Sequence, residues 1–292
     1  MERFVDEAFL ERLANLRFIV KGHRKGHLSG THVSPRSGIS LEFADYRQYA
    51  PGDDFRYIDW NIYGRLDRVL VKTFVHETDL PVYLLVDLSG SMQLGSPSKA
   101  RYAARLSAAL AYLGLRSLDR VGLYPYSDDL ASMVPPRHGM AHFGRILRAL
   151  SEIDPGGGTS FDTAVRGFLN RTKESGLVFV ISDFMTSESY QDAFARLLHR
   201  GDEAVVVQIL HPEEIAPTPS GTTRLVDVES GRRLTLTIGK RTLAEYDTRL
   251  RELRDGLREF LTERGIPYFL APTDLPIERL LHETFRTGGV LQ

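Results

Sequence analysis

The chain has 292 residues, 37 basic against 38 acidic side chains and 42% hydrophobic residues, enough for one large domain, or a large and a small one, around a sizeable core. The balanced charge excludes a global electrostatic pull towards nucleic acid or anionic membrane. The absence of cysteine excludes a disulfide framework, a thiolate zinc site and a cysteine nucleophile, and fits a reducing compartment.

The opening MERFVDEAFLERL carries acids and no continuous apolar core, unlike a signal peptide. No stretch reaches the roughly 18–20 apolar residues of a membrane span, so the expectation is a cytoplasmic, soluble protein without a span. Glu7–Val20 reads as a helix, and residues 21–40 are rich in Gly, Ser, His and Arg. Between Arg17 and Arg36 lie five basic residues, no acid, and His23, His27 and His32. Gly, Ser and Pro around His23 and His27 argue against a helix presenting both to one zinc. The stretch reads as a solvated or partner-facing loop, and nucleic-acid binding is not expected. Residues 41–72 mix aromatics with charges and show no clean period, as a small module would. There the alternation of Asp, Arg and aromatics suits internal salt bridges and stacking. Pro51-Gly52 reads as a tight turn before Asp53 and Asp54.

From Leu80 onwards strand-like and helix-like segments alternate. Val82–Val86 is an apolar run suited to a central parallel strand, and Ser98–Leu118 has helical spacing. Val121–Tyr126 reads as a strand, Ala131–Val134 as an edge strand, and Met140–Leu150 and Phe161–Arg171 as helices separated by Pro155-Gly156-Gly157-Gly158. Leu177–Ile181 and Ala204–Leu210 are strands flanking a helix near Ser189–His199. Arg224–Val228 and Arg233–Ile238 read as an inserted β-hairpin. Thr242–Arg264 is a long helix, Pro267–Leu270 a last strand and Pro276–Arg286 a closing helix. The alternation implies a doubly wound, mostly parallel α/β sheet of Rossmann-like kind. The expected division is a module at 1–79 and an α/β domain at 80–292 with the hairpin inserted at about 224–238.

The chemistry sits at strand ends. Val82–Met92 reads VYLLVDLSGSM, and side chains two apart in extended backbone point the same way. Asp87, Ser89 and Ser91 thus offer oxygen ligands to one point. Oxygen-only donors suit a hard divalent cation such as Mg²⁺, or Mn²⁺, rather than zinc. Asp183 closes the strand at Leu177–Ile181, and Thr159 follows three glycines that let the backbone approach closely. Ligands of open α/β sheets bind at the carboxyl ends of strands, so the candidate metal set is Asp87, Ser89, Ser91, Thr159 and Asp183.

Asp-x-Ser-x-Ser after a first apolar strand, Gly-Gly-Thr before a helix and an Asp ending a later strand resemble the metal-ion-dependent adhesion site of von Willebrand factor A (vWA) domains. That resemblance implies a vWA-like fold in which Ser89, Ser91 and Thr159 bind Mg²⁺ directly, Asp87 and Asp183 act through water, and a partner's carboxylate completes the shell. The earlier stretch resembles the family known as domain of unknown function 58 (DUF58). It carries Gly38, Glu42-Phe43, Asp45-Tyr46-Arg47, Tyr49, Pro51-Gly52-Asp53-Asp54, Arg56, Ile58-Asp59-Trp60 and Arg65. Many longer members carry membrane helices before this module, and the expectation for this chain is the short soluble form. The family resemblance implies a partner, a MoxR-type AAA+ ATPase, in assemblies with chaperone-like roles.

The expected function is a non-catalytic protein–protein interaction module. No Gly-x-x-x-x-Gly-Lys-Ser/Thr occurs, so ATP hydrolysis would come from a partner. The alternative is a metal-dependent hydrolase or phosphotransferase with Asp87 as nucleophile. Haloacid-dehalogenase-like phosphatases need a second aspartate two residues on, where Ser89 stands. A serine hydrolase would need Gly-x-Ser-x-Gly, which Leu88-Ser89-Gly90-Ser91 does not supply.

Overall fold

The computed structural model describes residues 6–13, 15–19, 41–51, 53–66, 68–76, 80–131, 133–186, 189–218, 221–226 and 233–291. Cα packing groups the chain into two compact units, Met1–Val20 with Leu80–Gln292, and Lys21–Asp79. The first helix, α1 (Glu7–Leu13), belongs to the larger unit rather than to the 1–79 module, because Phe9 and Leu13 are buried in its core. Asp6 caps that helix by accepting from the Phe9 N–H at 2.7 Å.

In the smaller unit, β1 (Leu41–Gln48) pairs antiparallel with β2 (Leu70–His76), and the short helix α2 (Trp60–Leu66) lies between them in sequence. The acidic residues of this module are engaged locally. Arg47 donates to Asp53 at 2.8 Å, Arg56 donates to Asp54 at 2.6 Å, and Tyr46 Oη donates to Asp59 at 3.0 Å. Tyr49 and Phe55 stack with centroids 5.9 Å apart. Trp60 and Tyr63 meet edge to face at 6.2 Å, and Phe55, Trp60, Tyr63 and Leu66 remain exposed.

The larger unit is built on a six-stranded sheet. Its strands are β3 (Pro81–Asp87), β4 (Arg120–Tyr126), β5 (Val134–Arg137), β6 (Leu177–Ser182), β7 (Glu203–Leu210) and β10 (Tyr268–Pro272). Their spatial order is β10-β7-β6-β3-β4-β5, with every neighbouring pair parallel except β4–β5. The expected edge strand at 131–134 forms at Val134–Arg137 instead, and its Pro135 and Pro136 are tolerated there because an edge strand has one unpaired side.

Each central strand is apolar on both faces because helices cover both. Val82, Leu84 and Val86 pack in the layer of α3 (Lys99–Arg116) and α4 (Met140–Ser151), together with α1. Tyr83 and Leu85 face the layer of α5 (Phe161–Arg171) and α6 (Gln191–Arg200). After β7 come the one-turn helix α7 (Pro212–Ile215) and a hairpin of β8 (Gly221–Val226) with β9 (Arg233–Ile238). The hairpin register pairs Gly221 with Ile238 and Val226 with Arg233. Its expected turn at 229–231 lies outside the described residues. Helix α8 (Lys240–Glu263) buries Leu250, Leu257 and Leu261. The closing helix starts as α9 (Ile277–Arg279) and widens to π-helical turns over Leu280–Phe285.

The junction of β3 and β6 at their amino-terminal ends is sterically tight. A Cβ added at Gly176, just before β6, would lie 2.1 Å from the Pro81 carbonyl oxygen. Backbone cannot yield there without disturbing the β3–β6 pairing, so Gly176→Ala is expected to lower stability by about 1–3 kcal/mol in urea unfolding. A change within about 0.5 kcal/mol, as at an ordinary surface site, would contradict this packing.

Candidate metal centre

Strands β3 and β6 are neighbours, yet β3 leads into α3 on one face and β6 into α6 on the other. Neighbouring strands that diverge to opposite faces leave a crevice beyond their carboxyl ends. Asp87, the last residue of β3, and Asp183, the residue after β6, stand at that crevice.

Asp87 is fully buried. Its Oδ1 accepts from the Ser89 N–H at 2.8 Å and its Oδ2 from Ser182 Oγ at 2.6 Å. Burial, and after it the charge of Asp183, push the Asp87 carboxyl up to about 6, while the hydrogen bonds from Ser182 and Ser89 pull the other way. Tyr126, paired with Asp87 across β3–β4, is also fully buried. Its hydroxyl lies beside Ser182, but Ser182 gives its proton to Asp87, and the Tyr126 oxygen has no partner of good geometry. Burial raises the Tyr126 phenol well above its ordinary range.

Ser89 and Ser91 come together by a different route from strand alternation. The extended backbone stops at Asp87, and Gly90–Gln93 forms a 3₁₀ turn that sets Ser89 Oγ 3.0 Å from Ser91 Oγ. The Gly-rich loop docks directly on this turn. The Gly156 N–H donates to the Leu88 carbonyl at 2.8 Å, and the Gly90 N–H donates to the Gly157 carbonyl at 3.0 Å. Gly157 has φ +80°, and a Cβ at Gly158 would meet Asp128 Oδ1 of the β4–β5 loop at 2.6 Å, so this stretch favours glycine. Asp128 accepts from the Gly158 N–H at 3.2 Å. Thr159 follows immediately, half-buried, on the loop bonded to Ser89–Ser91.

Asp183 is held from three sides. Its Oδ1 accepts from the Met185 N–H at 3.0 Å, its Oδ2 from Lys99 Nζ at 2.6 Å, and its carbonyl from Gln208 Nε2 at 2.7 Å. Lys99 is fully buried at the start of α3 and donates equally closely, 2.6 Å, to Glu214 Oε1 of α7. Glu214 Oε2 in turn accepts from the His211 N–H at 2.7 Å, closing a capping box.

The structure thus gathers Asp87, Ser89 and Ser91 in one turn, sets Asp183 within electrostatic reach of Asp87, and brings the loop of Thr159 against them. Sequence reasoning missed Lys99, Ser182, Glu214 and Gln208. A lysine in the first turn of a helix opposes the helix dipole, and that mismatch was the one readable signal for Lys99. Glu214 lies 115 residues from Lys99 in the chain, so nothing local links them. The basic stretch with His23, His27 and His32 lies, apart from its first residues, outside the described residues. Among the described residues no group of three or more His, Cys, Asp and Glu forms a metal cluster. A cation here would therefore rest on hydroxyl oxygens. The donor chemistry fits a hard divalent ion: paired hydroxyls, and two buried carboxylates that repel each other and would gain from a cation between them.

No helix among the described residues is long and apolar enough to cross a membrane. Among solved structures, the conserved hypothetical protein BatB of Bacteroides thetaiotaomicron is 16% identical at a TM-score of 0.46, over 72% of this chain and 98% of its own. An aerotolerance-related membrane protein of Bacteroides fragilis is 18% identical at the same TM-score, 0.46, over the same shares, 72% and 98%. Likeness this loose carries no statement about activity. The uncharacterized protein Rv1480 of Mycobacterium tuberculosis is 28% identical over 231 residues, 77% of this chain and 73% of the relative. The family model described as "Protein of unknown function DUF58" matches residues 45–255, and the chain belongs to that family.

Proposed function

We propose that this chain is a vWA-like, non-catalytic interaction module that binds an acidic side chain of a protein partner through Mg²⁺ or Mn²⁺ at Ser89, Ser91 and Thr159, with Asp87 and Asp183 acting through water. The observation that carries this reading is the convergence of the Ser89–Ser91 turn and the Gly-rich loop on two buried carboxylates at the β3–β6 crevice. A divalent ion held by neutral hydroxyls keeps more of its positive charge, which favours an anionic partner group. The partner implied by the family resemblance is a MoxR-type AAA+ ATPase, which would supply the nucleotide hydrolysis this sequence lacks the motif for. The cytoplasm is the compartment that goes with that partner and with a cysteine-free chain.

Use of Asp87 as a nucleophile is disfavoured, because the residue is fully buried and both its oxygens already accept hydrogen bonds. Calorimetric titration of Mn²⁺ and Mg²⁺ tests the metal reading. Loss of an outer-sphere partner alone weakens metal sites by about 10–100-fold, so Ser89→Ala and Asp87→Ala are expected to lose at least that much. A purified MoxR-type ATPase should be retained on the immobilised chain with Mg²⁺ and released by EDTA. Unchanged titration in both variants, or retention indifferent to EDTA, would sink this assignment.

A further inference from the structure

Lys99 stands out once the metal reading is accepted, and the inference here rests on that reading. Its ammonium is fully buried and sits 2.6 Å from both Asp183 Oδ2 and Glu214 Oε1. The stem is buried along with the ammonium, since the whole side chain is 0% exposed, so the charge does not reach solvent. A lysine at a helix start faces the positive end of the dipole. Such a local mismatch marks a functional constraint more often than a stabilising one.

We infer that Lys99 is the resident counter-ion of this cleft and that it holds the divalent-metal affinity of the site down. Asp87, Asp183 and Glu214 bring three negative charges and Lys99 one positive. A cation bound beside Asp183 has the Lys99 ammonium as a close like-charged neighbour in a water-poor pocket, where repulsion is poorly screened. Filling the site therefore works against a charge already in place. Occupancy becomes steeply dependent on a further anion, and the natural source of that anion is the partner's carboxylate. Weak binding alone and tight binding with partner would make metal and partner engage together.

The opposite role predicts the opposite sign. A Lys99 that merely holds Asp183 in place would, on removal, loosen that carboxylate and weaken metal binding. Calorimetry of Mn²⁺ binding to the full chain separates the two with Lys99→Met, which keeps the stem and deletes the charge. Tightening of about tenfold or more is expected. Because Lys99→Met leaves two carboxylates without their cation and can fail to fold, Glu214→Gln is compared with Lys99→Met/Glu214→Gln. These two differ only in the Lys99 charge, and the double variant should bind Mn²⁺ about tenfold more tightly than Glu214→Gln alone. Mn²⁺ binding by the double variant that is no tighter than that of Glu214→Gln alone overturns the counter-ion role and leaves the metal reading standing. Binding by the lysine-free variants alone supports a site that Lys99 keeps closed to metal. Absence of binding in all four proteins overturns the metal reading and this inference with it.

Discussion

Replacing Lys99 by alanine is expected to lower the stability of the metal-free protein by about 3–5 kcal/mol, the cost of breaking a buried ion pair by removing one partner. The burial is what makes the effect large. The Lys99 side chain is 0% exposed, and those of Asp183 and Glu214 are 3% and 14% exposed. Deleting the ammonium strands two carboxylates with little water to solvate them, and it leaves a void along the lost stem. By contrast, the surface pairs Arg241–Glu245 and Arg279–Glu283 are well exposed, and such pairs contribute little. Equilibrium urea unfolding in EDTA checks the contrast. A Lys99→Ala loss below about 1 kcal/mol, the scale of a surface pair, would mean that water reaches these carboxylates.

The second large effect concerns Asp87 and has a definite sign. Its carboxyl goes from 3.8 to about 6 on folding, so the folded protein holds this proton more tightly than the unfolded chain. Folding is therefore favoured by protonation. The contribution to stability is fully present below about 3.8, is lost as pH rises towards about 6, and is absent above that. The difference corresponds to ~3 kcal/mol between the two limits. Asp53 and Asp54, whose carboxyls Arg47 and Arg56 hold below the usual range, work in the opposite sense, and only at more acidic pH. In EDTA, stability should thus rise as pH falls from about 6 to about 4, and Asp87→Asn should remove that rise. At pH near 8 the amide variant should be more stable than wild type by about 1–2 kcal/mol, since an uncompensated buried charge is gone. The same variant loses metal binding on the proposed reading, a trade of stability for function that active clefts commonly show. A wild-type profile that is flat or falls over this window would remove the argument that Asp87 is a charge awaiting a cation.

The sequence by itself determined the fold class and which turns meet at the ends of β3 and β6. Runs such as Val82–Val86 and Leu177–Ile181 are apolar at every position, and only a strand covered on both faces uses such a run. Glycines 156–158 and the serines at 89 and 91 were legible because turn residues and short hydroxyl side chains have few other uses beside a buried strand. Local pattern also misled. The alternation argument for Asp87, Ser89 and Ser91 reached the right neighbours through the wrong backbone, since a 3₁₀ turn rather than extended chain joins the serines. The edge strand slipped from 131–134 to 134–137 because antiparallel pairing with β4 is a tertiary contact.

Tertiary structure alone decided the electrostatics of the cleft. Lys99 at the start of α3, Asp183 just after β6 and Glu214 in α7 come from three separate segments, Lys99 lying 84 and 115 residues from its two partners, and no periodicity in sequence encodes a contact across that distance. Strand order, by placing β6 beside β3 and β7 beside β6, brings those segments to one crevice. Burial then does the rest: side chains that would be ordinary surface charges in an extended chain become, without water, a cation fixed between two carboxylates and a third carboxyl raised to about 6.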